Sequence, residues 1–169
     1  MYALIILLAG VFIEVYVTAA VRASYIDNLT KTLSGQIKLI SNTMAFGQAD
    51  LDPLCRRLKD EIGARVTVIA ADGKVLGDSD TASARMDNHA HRPELEQSLL
   101  SESGMAIRYS NTLKYDLLYI AQKFGQNDKV EGFIRLAVPL REVDVAINRL
   151  RVRLILVVIM ILLATWVFS

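Results

Sequence analysis

Two apolar segments at the ends of the chain constrain its fold most strongly. Residues 2–21 carry one charged side chain, Glu14, and residues 154–169 carry none. A bilayer core needs about 20 apolar helical residues, and the second segment provides about 24 Å of helix, so we expect it to continue past Ser169. Small residues at 18–20 leave a cleaved signal peptide open as an alternative for the first segment, although no basic residue precedes them. The pattern predicts two transmembrane helices around a central domain.

The central region has the polarity of a globular domain. All 19 Lys and Arg residues lie between Arg22 and Arg153, and the net charge is only +1. The bases alternate with acids without a basic stripe, so we expect no nucleic-acid partner. The positive-inside rule would place this region in the cytoplasm, but long domains translocate largely regardless of charge. We predict a first span at 1–22, a domain at 23–150 and a second, truncated span at 151–169.

The first span is predicted to continue as a helix into the domain. Apolar residues after Arg22 recur about every 3.6 residues, the period of a straight helix with one buried face. They are Ile26, Leu29, Leu33, Ile37, Ile40 and Met44. We therefore predict a long helix over 23–45 that packs on the domain and against a partner copy, in a homodimer. Phe46-Gly47-Gln48 is expected to end it.

The rest of the central region predicts an α+β domain. A helix is expected over 50–62, with Gly63 as its stop signal, a short helix from Pro93 to Leu100, and a last helix from Arg141 that enters the second span. Cys55 falls on the apolar face of the first of these, so we expect a buried, unpaired thiol. Five strands are expected at 65–69, 75–78, 106–109, 116–124 and 132–138, with turn residues at Asn111, Lys114, Gly125, Asn127 and Asp128. This order predicts an antiparallel sheet with helices mainly on one face.

Four stretches of this region resemble one family. They are 68–79 (VIAADGKVLGDS), 88–94 (NHAHRPE), 108–110 (RYS) and 116–121 (DLLYIA). Together they resemble the extracytoplasmic PAS-like (Cache, or PDC) sensor region of membrane histidine kinases of the phosphate-regulon, PhoR-like type, over roughly 66–150. The resemblance implies a PAS-like fold outside the bacterial inner membrane, held between two spans.

The resemblance also implies a two-component output. A kinase region beyond this chain would use ATP and Mg and act on a response regulator, and a transporter or accessory protein could deliver the stimulus. We expect no cofactor and no catalytic residue within the chain itself, because it has no Gly-rich phosphate loop and no nucleophile elbow. Two alternatives stay open: the same sensor joined to a chemoreceptor or a cyclic-dinucleotide enzyme, or a membrane-tethered binding protein.

The resemblance places a ligand between the loop after the second strand and the central strands. The candidate ligand-binding residues are His89, Arg92, Arg108, Tyr109 and Tyr119. Arginine offers a planar fork of donors that suits carboxylate or phosphate. In the alternative interpretation, Arg92 pairs with Asp87 or Glu94 to lock the loop, and Arg108 is solvated.

Other polar residues of this region have structural interpretations. We predict that Asp72, Gly73, Asp78 and Asn88 fix the hairpin turn and the loop. His89 and His91 lie near carboxylates, but alternate positions in an irregular loop do not fix metal-ligand geometry, so no metal site is expected.

Glu14 is the exceptional residue of the first span. A charge at the bilayer centre costs about 3 kcal/mol on insertion scales. We expect it to face the second span or a dimer partner, with its carboxyl either charged or protonated; a tolerated position near the interface is the alternative.

Overall fold

The computed structural model describes residues 2–43, 50–110, 115–126 and 129–167. They form two compact units, one of residues 29–140 and one of residues 2–28 with 141–167. The predicted ends of the long helix (44–48) and several predicted turn residues, namely Asn111, Lys114, Asn127 and Asp128, lie outside the described residues.

The described residues form four helices, one short 3-10 turn and five strands. The helices are α1 (Tyr2–Thr43), α2 (Asp52–Ile62), α3 (Pro93–Leu100) and α4 (Arg141–Val167), and the 3-10 turn is Ser83–Arg85. The strands are β1 (Arg65–Ala70), β2 (Val75–Asp78), β3 (Gly104–Ser110), β4 (Tyr115–Gln126) and β5 (Lys129–Pro139).

Local sequence explains the element ends. In α2, proline stands in the first turn, where its missing N–H costs nothing. Gly63 ends that helix at φ 74°, and its N–H donates to the carbonyl of Lys59 at 2.8 Å. In the β1–β2 hairpin, Gly73 takes φ 85°, the left-handed backbone that its tight turn requires.

The strands form one antiparallel sheet in the order β2-β1-β5-β4-β3. This confirms the predicted α+β class and the five-stranded antiparallel sheet. The last three strands are longer than predicted, and β4 and β5 continue to pair through a register shift at Phe124/Gly125. Gly125, predicted as a turn residue, therefore pairs with Val130 inside the ladder.

One face of the sheet, called here the helix-side face, carries an apolar core. Side chains alternate between faces along a strand, and opposed residues share a face. The fully buried side chains of this face are Val66, Val68, Leu118, Ile120, Ile134 and Leu136. Helix α2 packs here, since a Cβ at Gly77 would lie 2.5 Å from the Cβ of Leu51. Helix α1 reaches the same face, where Thr30 Oγ1 lies 3.5 Å from Met105 Sδ.

The opposite face, called here the loop-side face, is covered by α3 and by residues of the loop that follows β2. A small apolar cluster lies here: Ile69, Val75, Leu95, Ala121 and Phe133. Helix α3 sits so close to β3 that a Cβ at Gly104 would overlap the carbonyl oxygen of Glu94. Polar side chains fill the rest of this face.

The second unit pairs the first part of α1 with α4. Glu14 Oε1 lies 2.6 Å from Arg151 Nε, and Arg22 Nε lies 3.7 Å from Asp144 Oδ1. Glu14 thus faces the second apolar helix, which is one of the two orientations predicted for it. It forms an ion pair there with Arg151. A Cβ at Gly10 would lie 2.6 Å from a methyl of Val158, so the two helices approach closely there.

Both helices of this unit contain stretches that could span a bilayer. By length and composition, the candidate spans are Leu4–Asn42 and Val143–Val167, each with a mean hydropathy of 2.4 over its most apolar window. Within those windows only 6% and 0% of the residues are buried. Apolar side chains that face outward on both helices are typical of surfaces that contact lipid.

Candidate ligand site on the loop-side face

A fully buried carboxylate stands at the centre of the loop-side face. Glu94 is the second residue of α3, and its Oε1 accepts hydrogen bonds from two arginines. Arg108 Nη2 lies 2.7 Å away and Arg135 Nη1 lies 3.3 Å away. Burial of a carboxylate is tolerated only where such charge-assisted partners replace water.

The network continues from Arg135 across the sheet to β2. Arg135 Nη2 donates to Thr67 Oγ1 at 3.2 Å, and that hydroxyl donates to Asp78 Oδ2 at 2.7 Å. Asp78 is fully buried and pairs with Arg65, whose Nη2 lies 3.0 Å from its Oδ1. The register explains this arrangement, because Thr67 is opposite Asp78 on one side and Arg135 on the other.

An aromatic ring lies beneath the two arginines that hold Glu94. The guanidinium carbons of Arg108 and Arg135 lie 4.1 Å and 5.2 Å from the ring centroid of Tyr119. A ring face attracts cations at these distances, and the attraction is larger when the cation is desolvated. Tyr119 therefore helps to keep two like charges side by side.

His89 lies beside the same cations and stays neutral. Its side chain is buried, and its backbone N–H donates to the carbonyl of Gly73 at 2.8 Å. Burial lowers the pKa of His89 to about 4, and the positive charges of Arg135, Arg92 and Arg108 act in the same direction.

Several buried polar atoms of this cluster have no hydrogen-bond partner among the described residues. They are Glu94 Oε2, Arg108 Nε, Arg135 Nε and His89 Nδ1. Such atoms are rare in folded proteins and call for an explanation, for example a bound water or ligand. Three of these atoms belong to Glu94, Arg108 and Arg135 themselves, and the fourth belongs to His89.

The structure brings three of the five predicted ligand-binding residues together. His89, Arg108 and Tyr119 belong to the cluster. Tyr109 is 58% exposed, and the alternation along β3 places it on the opposite face from Arg108. Arg92 is half-buried, and its charge acts on His89.

The contacts of the two arginines differ from those of the alternative interpretation. Among the described residues, Arg92 has no ion pair with Asp87 or Glu94, and the carboxylate of Glu94 is instead held by Arg108 and Arg135. Arg108 is only partly solvated: 28% of its side chain is exposed, and its guanidinium lies in that ion pair and over the ring of Tyr119.

The four residues predicted to fix the loop lie at positions with hydrogen bonds or close packing contacts. Asp72 Oδ1 accepts the N–H of Lys74 at 2.9 Å, and Asn88 Nδ2 donates to the carbonyl of Asp72 at 2.9 Å. Asp78 Oδ1 accepts the N–H of Asp80 at 2.9 Å, at the start of the loop. Gly73 could not carry a side chain, because a Cβ would overlap Asn88. These contacts tie the loop to the hairpin at both ends.

Sequence reasoning missed Arg65, Thr67 and Arg135, and it considered Glu94 only as a partner of Arg92. Arg135 did carry a signal: it is the one charged residue in the apolar stretch 133–138 of β5. A charge in a buried strand needs a buried partner. The partner itself follows only from the packing of α3.

The described residues contain no group of three or more His, Cys, Asp or Glu side chains placed to hold a metal ion. His91 is almost fully exposed, and its Nδ1 lies 3.4 Å from Glu96 Oε1.

The fold and this site define a PAS-like sensor domain that is flanked by two apolar helices. The profile of the family described as Single Cache-like matches residues 23–139. The chain therefore belongs to the Single Cache-like family. A Cache domain between two such helices is consistent with a membrane protein whose sensor domain lies outside the cell membrane.

Solved structures of two receptor sensor domains share this fold. The ligand-binding domain of the Campylobacter jejuni chemoreceptor Tlp3, in complex with 4-methylisoleucine, matches with a TM-score of 0.56 and 15% identity. The sensor domain of the V. cholerae histidine kinase DctB matches with a TM-score of 0.59 and 16% identity.

The two matches cover 76% and 79% of this chain, but the chain spans only 57% and 56% of those structures. At these identities the likeness shows the fold alone. A comparison with curated proteins gave no significant match.

Proposed function

We propose that this chain is the sensor and transmembrane signalling module of a two-component histidine kinase of the phosphate-regulon type. One observation carries the proposal: the Cache domain lies between two helices that are long and apolar enough to span a bilayer. The chain would lie in a bacterial inner membrane as a homodimer, with its domain outside. A kinase region beyond Ser169 would bind ATP and Mg and phosphorylate a response regulator.

The connection between the domain and the second span suits signal transfer. Strand β5 ends at Pro139 and α4 begins at Arg141, so one residue separates the central sheet from the helix. Leu140 is buried, and its N–H donates to the carbonyl of Asp116 at 2.9 Å. A signal that passes from the sheet to α4 along the chain would cross this short connection.

The mechanism we propose is a population shift. A stimulus that binds one packing of the loop-side face more tightly than another favours that packing. The accompanying movement of α4 would be a shift of about 1–2 Å, as is typical of helix-based switches. The stimulus is a small ligand at this face or a transporter or accessory protein that contacts it.

A chimeric kinase tests the proposal. Residues 1–169 are joined to the cytoplasmic region of a well-characterised membrane histidine kinase, and the phosphorylation of its response regulator is followed. We expect the output to change when cells pass from phosphate sufficiency to phosphate limitation. Two glycines inserted after Leu140 should abolish that change, because they uncouple β5 from α4.

The outcomes separate the parts of the proposal. A response to phosphate that survives the glycine insertion would contradict transfer through α4. If the chimera ignores phosphate but responds to amino acids, the phosphate-regulon assignment is wrong. The second candidate, a chemoreceptor-type sensor, would then be favoured, as the fold shared with Tlp3 suggests.

A further inference from the structure

We propose that a groove between α1 and α4, next to the apolar stretch of α4, binds the headgroup of an anionic phospholipid. The groove has a volume of about 600 Å³ and lies within the unit that contains the two apolar helices. Val21 and Tyr25 of α1 line it, together with residues of α4 from Arg141 to Leu150. The inference goes beyond the proposed sensing function, because it requires only that the two helices lie in a membrane.

The groove lies at the depth where lipid headgroups are expected. On α1, the apolar run that starts at Tyr2 ends at Val21, and Val21 lines the groove. On α4, the uncharged run begins at Leu154, just past the groove. Tyr25, a partly exposed ring, lines the same groove, and tyrosine is enriched where hydrocarbon meets water. Both helices therefore change from apolar to polar at the level of the groove.

Helix α4 carries positive charge here that the protein does not neutralise. Arg22 and Arg151 each lie in an ion pair between the two helices. Among the described residues, Arg149 and Arg153 form no such ion pair, and both are exposed. Long basic side chains near the end of a span extend toward the lipid headgroups. A guanidinium binds a phosphate with two parallel hydrogen bonds, so a phosphodiester headgroup suits these two arginines.

The spacing of the two arginines suits one phosphate whose acyl chains lie in the bilayer. Arg149 and Arg153 are four residues apart, so their Cβ atoms lie about 6 Å apart on one side of the helix. Val157, four residues further along, continues that side into the apolar stretch and is exposed. A lipid with its phosphate at the arginines can therefore lay an acyl chain along α4. A free phosphate ion would gain nothing from that apolar surface, so the geometry favours a lipid.

A lipid in this groove would contact both helices of the unit. Val21 and Tyr25 belong to α1, whereas Arg149 belongs to α4. The bound lipid would add to the ion pair between Glu14 and Arg151 in holding the two helices together. The packing of α4 on α1 would then depend on the amount of anionic lipid in the surrounding leaflet.

Native mass spectrometry of the full chain tests the proposal. The chain is released from micelles that contain equal amounts of phosphatidylglycerol and phosphatidylcholine. We expect about fivefold more adducts with phosphatidylglycerol, because the choline ammonium of the other lipid opposes the arginines. Arg149→Gln with Arg153→Gln should remove this preference. Arg56→Gln with Arg57→Gln removes the same charge from exposed positions of α2, so this matched control should keep it.

A second variant separates a shaped site from a diffuse attraction to positive charge. Val145 is exposed and lines the groove. Val145→Trp keeps every charge but fills the groove, so we expect it also to lower the number of phosphatidylglycerol adducts. Undiminished binding in this variant would overturn the groove as the site. The variant also keeps the proposal testable if the double arginine variant fails to fold.

Three further results would overturn the proposal. They are an equal number of adducts with both lipids in the natural chain, a preference that persists without Arg149 and Arg153, and displacement of the lipid by excess inorganic phosphate at constant ionic strength. The last result would indicate a site for a free anion. The assay needs no kinase: a silent chimera with this lipid preference would contradict only the signalling function, and a responsive chimera without it would contradict only this inference.

Discussion

At the scale of single residues, the carboxylate of Asp78 shows how the domain keeps charge in its interior. Its two oxygens accept hydrogen bonds from the Arg65 guanidinium, the Thr67 hydroxyl and the backbone N–H groups of Asp80 and Thr81. These partners replace the water that a fully buried carboxylate has lost. The same carboxylate joins the end of β2 to the loop.

Asp78→Asn should therefore destabilise the domain strongly. The change leaves Arg65 beside a neutral amide, and loss of one partner of a buried ion pair costs about 3 kcal/mol. Asp80→Asn is the matched control, because Asp80 pairs with Lys59 at an exposed position where a pair contributes less than about 1 kcal/mol. Urea unfolding of the two variants measures the difference, and equal losses would contradict the role given to Asp78.

His89 makes stability depend on pH in one direction. Its folded pKa of about 4 lies below the ordinary value of 6.5, so the unfolded chain takes up the proton first. The contribution of neutral His89 to the free energy of unfolding is therefore fully present above pH 6.5, and it is lost as the pH drops from 6.5 toward 4. We expect His89→Gln to flatten the pH dependence of the unfolding free energy in this window. His91→Gln, at the other, exposed histidine, should leave it unchanged; the reverse pattern would contradict the assignment.

At the scale of elements, the sequence predicted the helices and strands well because their signals are local. Gly63 and Pro93 mark helix ends, and Asp72-Gly73 marks the hairpin. Strand lengths were underestimated, since Gly125 reads as a turn residue but is held in the ladder by pairing with Val130. That pairing is a tertiary effect, which local propensity does not contain.

The candidate site was predicted only in part for the same reason. Arg108 and Tyr119 stood out as residue types, but Arg135 joins them only because β5 lies between β1 and β4. Glu94 reaches them only because α3 packs closely on β3 at Gly104. Sheet order and helix packing are tertiary features, and they could not be inferred from the single sequence.

The contact between α3 and β3 gives a prediction at this scale. Gly104→Ala places a methyl against the carbonyl of Glu94, so α3 must move and the domain should lose about 1–3 kcal/mol of stability. Gly35→Ala is the control: Gly35 lies in α1 with open space around it, and alanine there should add up to about 1 kcal/mol. Thermal unfolding should show a loss of stability in Gly104→Ala and a gain in Gly35→Ala. A stable Gly104→Ala would mean that α3 is not seated as described.

At the scale of the whole molecule, two helices carry the domain and pair with each other. Glu14 and Arg151 form an ion pair between them, and Gly10 allows a close approach to Val158. Charged side chains within a bilayer usually pair with one another, as these two do. This arrangement predicts a definite register between α1 and α4 in the membrane.

Disulfide crosslinking in membranes measures that register. Gly10→Cys with Val158→Cys should crosslink under mild oxidation within one chain, because the two positions are in contact. Leu8→Cys with Val158→Cys should not, since Leu8 is exposed on another side of α1. Crosslinking by the Leu8 pair alone would contradict the register.

Thiol labelling of intact cells tests whether the Cache sensor domain is held outside the cytoplasm between two spans. Burial raises the pKa of Cys55 to about 12, and the side chain is fully buried, so the natural chain should remain unlabelled. Glu102→Cys introduces an exposed thiol between α3 and β3. We predict that a membrane-impermeant maleimide labels this variant in intact, outer-membrane-permeabilised cells. Labelling only after the inner membrane is broken would place the domain in the cytoplasm and contradict this topology.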